Sequence, residues 1–197
     1  MSNKRENTKR LVICSIFCAL IVVLQFLSYF VKIGTVSLSF VLVPIVLGGA
    51  LFGPKYGAMF GGVFGIMTVI GVITGIDAGG GMMFLANPIM TVVLCMLKAT
   101  AAGFISAVVY KIMSKSVSNS YVSTLVSAVV CPIVNTGIFC AFMPLFFMET
   151  LKAWAGGEDL VSYILFGLAG VNFVVELVIN IVLCPVIKNS VKAFKKI

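Results

Sequence analysis

The sequence predicts an all-α polytopic membrane protein, a single transmembrane domain over residues 1–197 built as a six-transmembrane-helix bundle with both termini cytoplasmic. Three observations predict it. Hydrophobic residues make up 61% of the chain and charged residues 10%, with a mean hydropathy of +1.19, and the apolar runs are far longer than a soluble core requires. A hydrocarbon core takes roughly 20 helical residues to cross, so a chain of 197 residues with short connections accommodates about six spans. Alternating those spans from a cytoplasmic N-terminus places Lys4, Arg5, Lys9, Arg10, Lys55, Lys111, Lys115, Lys188, Lys192, Lys195 and Lys196 inside. Lys32 and Lys152 fall outside with Asp77, Glu149, Glu158 and Asp159, the asymmetry the positive-inside rule demands of an even number of spans.

The spans are expected over residues 11–31, 40–52, 56–74, 88–113, 121–148 and 161–187, each bounded by Gly, Pro, Asn or charge. The first follows the basic tail 1–10 and resembles a secretory signal, but it is too long, lacks a small-x-small cleavage site and ends at Tyr29 and Lys32, so it reads as a mature span. The second is short. In the third, Gly57, Gly61 and Gly65 recur every four residues, and in the fourth, which opens at Pro88, Ala99, Gly103 and Ala107 do the same. Such stripes let helix backbones approach closely, where van der Waals contact drives association in lipid. The first span carries its own small patch, Ser15 and Ala19 beside Cys14 and Cys18, among bulky Ile, Phe, Leu and Val. Its spacing suits packing within the bundle or docking of another membrane subunit. The basic tail 188–197 closes the chain.

The connections are unequal. Gly53-Pro54-Lys55-Tyr56 is a tight inner turn, whereas the outer segments 32–39, 75–87 and 149–160 are longer and polar or Gly-rich, as loops that gate ligands are. Residues 35–40 alternate with period two, which predicts a short extended segment with Val36, Leu38 and Phe40 turned inward. Gly79, Gly80 and Gly81 read as a hinge rather than a phosphate loop, since no strand precedes them and no Lys-Ser/Thr follows.

The strongest pointer to function is polar. Asn172, Glu176 and Asn180 lie four residues apart on one face of the sixth span. A carboxylate there costs at least ~2.5 kcal/mol on insertion scales, so it requires a partner, a water-filled cavity or a ligand. Lys98 sits ten residues into the fourth span, too deep for easy snorkelling. At ~1.5 Å per residue, Lys98 lies about 15 Å below the outer end of its helix and Glu176 about 20 Å below its own. Asn135, just after Pro132, is near the middle of the fifth span. Lys98, Asn135, Asn172 and Glu176 are therefore expected to converge between the last three spans, with Asn87 at the outer mouth. Two readings stand: a Lys98 to Glu176 ion pair with amides bonding between helices, or a ligand site.

Other classes find less support. The net charge of +8 is spread over inner loop ends and tails, where orientation and anionic lipid account for it, so no nucleic-acid partner is expected. With no histidine in the chain and no second Cys pair near Cys14 and Cys18, no metal or other cofactor is expected. The six cysteines all lie within or at the ends of apolar spans and read as packing residues. A membrane enzyme lacks its nucleophile or metal cluster here. The alternative function is a stand-alone small-molecule carrier or channel that uses Lys98 and Glu176 as a charged pathway.

A family resemblance joins these residues. The basic N-terminus leading into a small-patch first helix, the segment Val36-Ser-Leu-Ser-Phe-Val-Leu-Val-Pro44-Ile, the turn Leu51-Phe-Gly-Pro-Lys-Tyr-Gly57 and Cys131-Pro-Ile-Val-Asn-Thr136 together resemble the substrate-binding S components of energy-coupling factor (ECF) vitamin transporters. The likeness covers nearly the whole chain and is nearer the riboflavin and pantothenate type than the biotin type. It implies a bacterial plasma-membrane subunit that captures a vitamin-like substrate from outside, then topples in the bilayer against a transmembrane T subunit coupled to two ATP-binding subunits, which supply ATP hydrolysis. It implies a substrate enclosed by helices four to six and the outer loops. It also implies docking through an Ala-x-x-x-Ala pair on the first helix, matched here by Ser15 and Ala19. Lys98 facing an anionic group would favour an acidic vitamin such as pantothenate, whereas Glu176 neutralising Lys98 would leave a site for a neutral ligand.

Overall fold

The computed structural model describes residues 2–30, 32–33, 36–37, 39–117 and 119–194, with side chains for these other than 2–7, 32–33, 36–37, 168–169, 171–172 and 193–194. The chain is helical almost throughout. Among the described residues, four helices are long and apolar enough to cross a membrane: the Thr8–Ser28 part of α1 (Ser2–Ser28), α3 (Pro54–Ile73), α5 (Pro88–Ser116) and α6 (Ser120–Phe146). The final span expected from sequence is broken. It runs through α8 (Leu160–Ser162), a π-helical stretch Tyr163–Gly170 and α9 (Val171–Val182), then bends by 42° into α10 (Cys184–Phe194); counted as one, that bent pair makes a fifth.

Helix α2 (Leu42–Phe52) has 11 residues. That is ~16 Å, short of a ~30 Å hydrocarbon core. It is apolar on every side, which suits a helix surrounded by protein, and Leu42, Ile45 and Val46 are fully buried. Around it pack α1, α3, α5, α6 and α10, and Phe17, Ile21, Phe60, Phe64, Ile187 and Val191 join it in one core. A left-handed Gly53 (φ 96°) turns the chain, and Pro54 begins α3 where a missing N–H costs nothing.

The two small-residue stripes meet each other. A Cβ on Gly61 would overlap the Ala99 carbonyl oxygen, one on Gly57 that of Gly103, and Gly65 lies against Cys95 and Met96. These pairings, 57 with 103, 61 with 99 and 65 with 95, define an antiparallel α3–α5 crossing held by near contact of backbones. Ser127 on α6 then donates to the Ser106 carbonyl of α5 at 2.8 Å, tying the third layer to the second. At the far end of α1, the Tyr29 hydroxyl donates to the Met67 carbonyl of α3 at 2.6 Å.

The segments between spans are more ordered than their composition suggests. Residues 75–87 contain α4 (Ala78–Ala86), so Gly79, Gly80 and Gly81 form its first turn rather than a hinge. The cause is Asp77, whose carboxylate accepts from the Gly80 N–H at 3.3 Å and caps the helix. Residues 148–155 form α7 (Met148–Ala155), closed by the left-handed Gly156 (φ 59°). The alternation expected over 35–40 falls partly on Thr35 and Leu38, outside the described residues. Within it, β2 (Val36–Ser37) pairs antiparallel with β1 (Lys32–Ile33), in register Lys32 to Ser37 and Ile33 to Val36. Lys195 and Lys196 of the basic tail are likewise outside the described residues.

Candidate functional site

Where α3, α4, α5, α6 and α7 meet, the side chains leave a cavity. Its walls include Thr68 from α3, Asp77 ahead of α4, Cys95 and Lys98 from α5, Phe139 from α6 and Trp154 from α7, and it is open in part to the exterior. Short-range sequence features build it. Asn87 accepts from the Met90 N–H at 3.2 Å and, with Pro88, starts α5; ten residues on, three helical turns below the cap, comes Lys98. A second cluster of Met83, Leu94, Met143, Phe147 and Leu151 packs α4, α5, α6 and α7 around the same region. The Trp154 indole N–H donates to Met82 Sδ at 3.3 Å, linking α7 to α4 across the rim.

Lys98 is half-buried, and its ammonium rests 4.9 Å from the centroid of the Phe139 ring, a cation–π distance. Among the described residues it forms neither an ion pair within 4.0 Å nor a hydrogen bond. A cation in an apolar setting with an aromatic face as its neighbour retains its donors for something else.

Glu176 takes another position. It is 5% exposed, and its Oε1 accepts from the Ser39 backbone N–H at 3.0 Å, pinning the entry of α2 to α9. Asn180, one turn further on, is fully buried and donates through Nδ2 to the Glu176 carbonyl at 2.8 Å. Its Oδ1, and that of buried Asn135 on α6, have no hydrogen-bond partner among the described residues. The ion pair expected between Lys98 and Glu176 is not formed within 4.0 Å. Lys98 lines the cavity, Glu176 is close enough to act on it electrostatically without contact, Asn135 lies buried on α6, and Asn87 is committed to its helix cap. Asn172 falls in the first turn of α9, with its side chain outside the described residues. Ser15 and Ala19 are both exposed on α1, opposite the buried Phe17, Ile21, Gln25 and Ser28.

Sequence reasoning passed over Asp77, Phe139 and Ser39. A signal existed for Asp77, since an Asp three residues ahead of Gly80 and just before an apolar run is an N-cap pattern. Phe139 and Ser39 carried none, because an aromatic in an apolar span and a lone serine before it are ordinary.

The Glu176 to Ser39 bond makes a prediction. Glu176→Ala strands a partly buried amide, a loss of about 1–3 kcal/mol, and is expected to lower the thermal unfolding midpoint in detergent by roughly 3–10 °C. Glu176→Gln keeps an acceptor oxygen and is expected to stay nearer the wild-type midpoint. Equal losses would locate the contribution of Glu176 in its charge instead.

The model of the family described as ECF transporter, substrate-specific component, matches residues 9–188. The chain belongs to that family. It is therefore a transporter subunit and not an enzyme: a multi-pass membrane protein that binds substrate for micronutrient uptake and works with T and ATPase subunits. No curated protein matches the chain. The S component's cavity has no clustered metal ligands among the described residues, and its chemistry is one of charge and aromatic surface.

Proposed function

We propose that this S component serves high-affinity vitamin uptake across a bacterial plasma membrane, is of the riboflavin and pantothenate type, and binds an acidic vitamin such as pantothenate in the cavity beside Lys98. The observation that carries the reading is the Lys98 ammonium, held on a cavity wall against Phe139 with no carboxylate in contact among the described residues. An anionic ligand would replace that weak aromatic contact with charge-assisted hydrogen bonds, which are far stronger in a water-poor site. In this reading both termini are cytoplasmic, α4 and α7 face the exterior, and α2 with the broken α8 to α10 segment completes six passes. Glu176 and the oxygens of Asn135 and Asn180, unpartnered among the described residues, form a polar wall deeper in the bundle, with Asn172 on the same helix as Glu176. Ser15 and Ala19 contact the T subunit, which two ATP-binding subunits drive.

Trp154 on the cavity wall supplies the assay. Titrating the purified protein in detergent with pantothenate, riboflavin, folate, thiamine, niacin, pyridoxine and biotin is expected to give a saturable fluorescence change with one of them at submicromolar concentration. Lys98→Met is expected to weaken that binding at least ~10-fold, the equivalent of one charged hydrogen bond of ~1.5 kcal/mol. Unchanged affinity would remove Lys98 from the site.

A further inference from the structure

The cavity holds a second charge that the reading above does not use. Asp77 lies on the same wall system as Lys98. It does not pair with Lys98, since no ion pair within 4.0 Å joins them, although both are electrostatic neighbours of Cys95, which also lines the cavity. One Asp77 oxygen, Oδ1, accepts from the Gly80 N–H and is used up in capping α4. A carboxylate has acceptor capacity beyond a single bond, so Asp77, which lines the cavity, keeps lone pairs that the cap does not use. Trp154 and Phe139 supply flat apolar surface within the same cavity.

Two opposite charges in one small apolar cavity would ordinarily attract and close on each other. Here each is held by something else: Lys98 by the Phe139 ring, Asp77 by its helix cap. That leaves two separated poles of opposite demand, a donor-only group and an acceptor-only group. A ligand that satisfies one pole alone leaves the other desolvated and unpaired, and such sites reject analogues lacking the matching group by large factors.

We infer that this site is bipolar and selects an amphoteric ligand, one that carries an anionic group for Lys98 and, separated from it by an apolar or flat segment, an N–H or O–H donor for Asp77. The inference rests on the cavity being the substrate site. It divides the common vitamins by chemistry. Pantothenate, folate and biotin carry both a carboxylate and N–H or O–H donors. Riboflavin and pyridoxine carry donors without an anion, thiamine carries a cation, and nicotinate is an anion whose ring nitrogen is no donor at neutral pH.

The test compares the Trp154 titrations of the wild-type protein, Lys98→Met and Asp77→Asn with these seven compounds. Asn caps a helix about as well as Asp, so Asp77→Asn preserves α4 while removing the negative charge, and circular dichroism and thermal midpoint check that both variants remain folded. The expected result is submicromolar binding of pantothenate, folate or biotin, weakened about tenfold or more by each variant. Binding of riboflavin, pyridoxine, thiamine or nicotinate in preference to these overturns the inference. If Lys98→Met weakens binding and Asp77→Asn does not, the bipolar inference fails while Lys98 keeps its place in the site. If neither variant changes the affinity, the cavity is not the substrate site and both readings fall. Absence of any response from folded, ligand-free protein overturns the amphoteric class.

Discussion

Ala19→Leu is expected to abolish copurification of this S component with its T subunit while leaving ligand affinity and thermal stability unchanged. The separation of effects follows from where Ala19 stands. Helix α1 buries one face, Phe17, Ile21, Gln25 and Ser28, against the bundle, and exposes Ser15 and Ala19 on the other. Extra carbons at position 19 therefore meet no atom of the chain's own core. A partner helix seated on a small patch meets them at once, because association in lipid depends on close backbone approach rather than on hydrophobic driving force. Serine at position 15 is compatible with such a patch. Its hydroxyl donates to the Leu11 carbonyl at 3.0 Å, one turn back, so it presents a satisfied, small surface. Ser15→Ala is accordingly expected to keep the complex. A complex that survives Ala19→Leu would move docking to another surface.

How much of this was legible in the sequence depended on the range of the interaction involved. The α3 and α5 stripes were readable because a four-residue repeat of Gly or Ala has one efficient use in a bundle, and each stripe found the other. The burial of Glu176 and Asn180 also followed from spacing on a single helix. Depth along helices, however, says nothing about direction around them. Spacing along the helices puts Lys98 and Glu176 at similar depth, yet Lys98 turns to Phe139 and the α3, α4, α7 side, whereas Glu176 turns to Ser39 at the start of α2. Only the packing order of the helices separates those two directions. Asp77 was hidden by its glycines. A run of three glycines argues for flexibility on propensity alone, whereas a capping carboxylate starts a helix there, and Val72, whose Cγ2 a side chain at Gly80 would overlap, accounts for the glycine at that position. The break in the last span was equally obscure, since a π-helical stretch differs from an α-helix by one residue of slippage and leaves the apolar pattern unaltered.

The α3–α5 crossing predicts the largest effect on stability, and it predicts opposite signs at adjacent residues. A Cβ on Gly61 would overlap the Ala99 carbonyl oxygen and fall 3.0 Å from the Thr100 Cα, both backbone atoms of α5 that cannot rotate away. Gly61→Ala must push two long helices apart, and overpacking of that kind costs roughly 1–3 kcal/mol; a midpoint about 5–10 °C lower is the expected reading in detergent. Gly61→Leu is expected to leave no monodisperse folded protein, because the separation it forces also shifts Lys98 and the cavity wall carried on α5. At Gly62, one residue on, a Cβ meets only the Thr100 Oγ1 at 3.9 Å. There the ordinary preference of a helix for Ala over Gly, about 1 kcal/mol, is unopposed, so Gly62→Ala is expected to raise the midpoint by a few degrees. Circular-dichroism melts of the two alanine variants side by side decide the matter. Equal destabilisation at 61 and 62 would mean that glycine flexibility, rather than the contact of α3 with α5, is what those positions require.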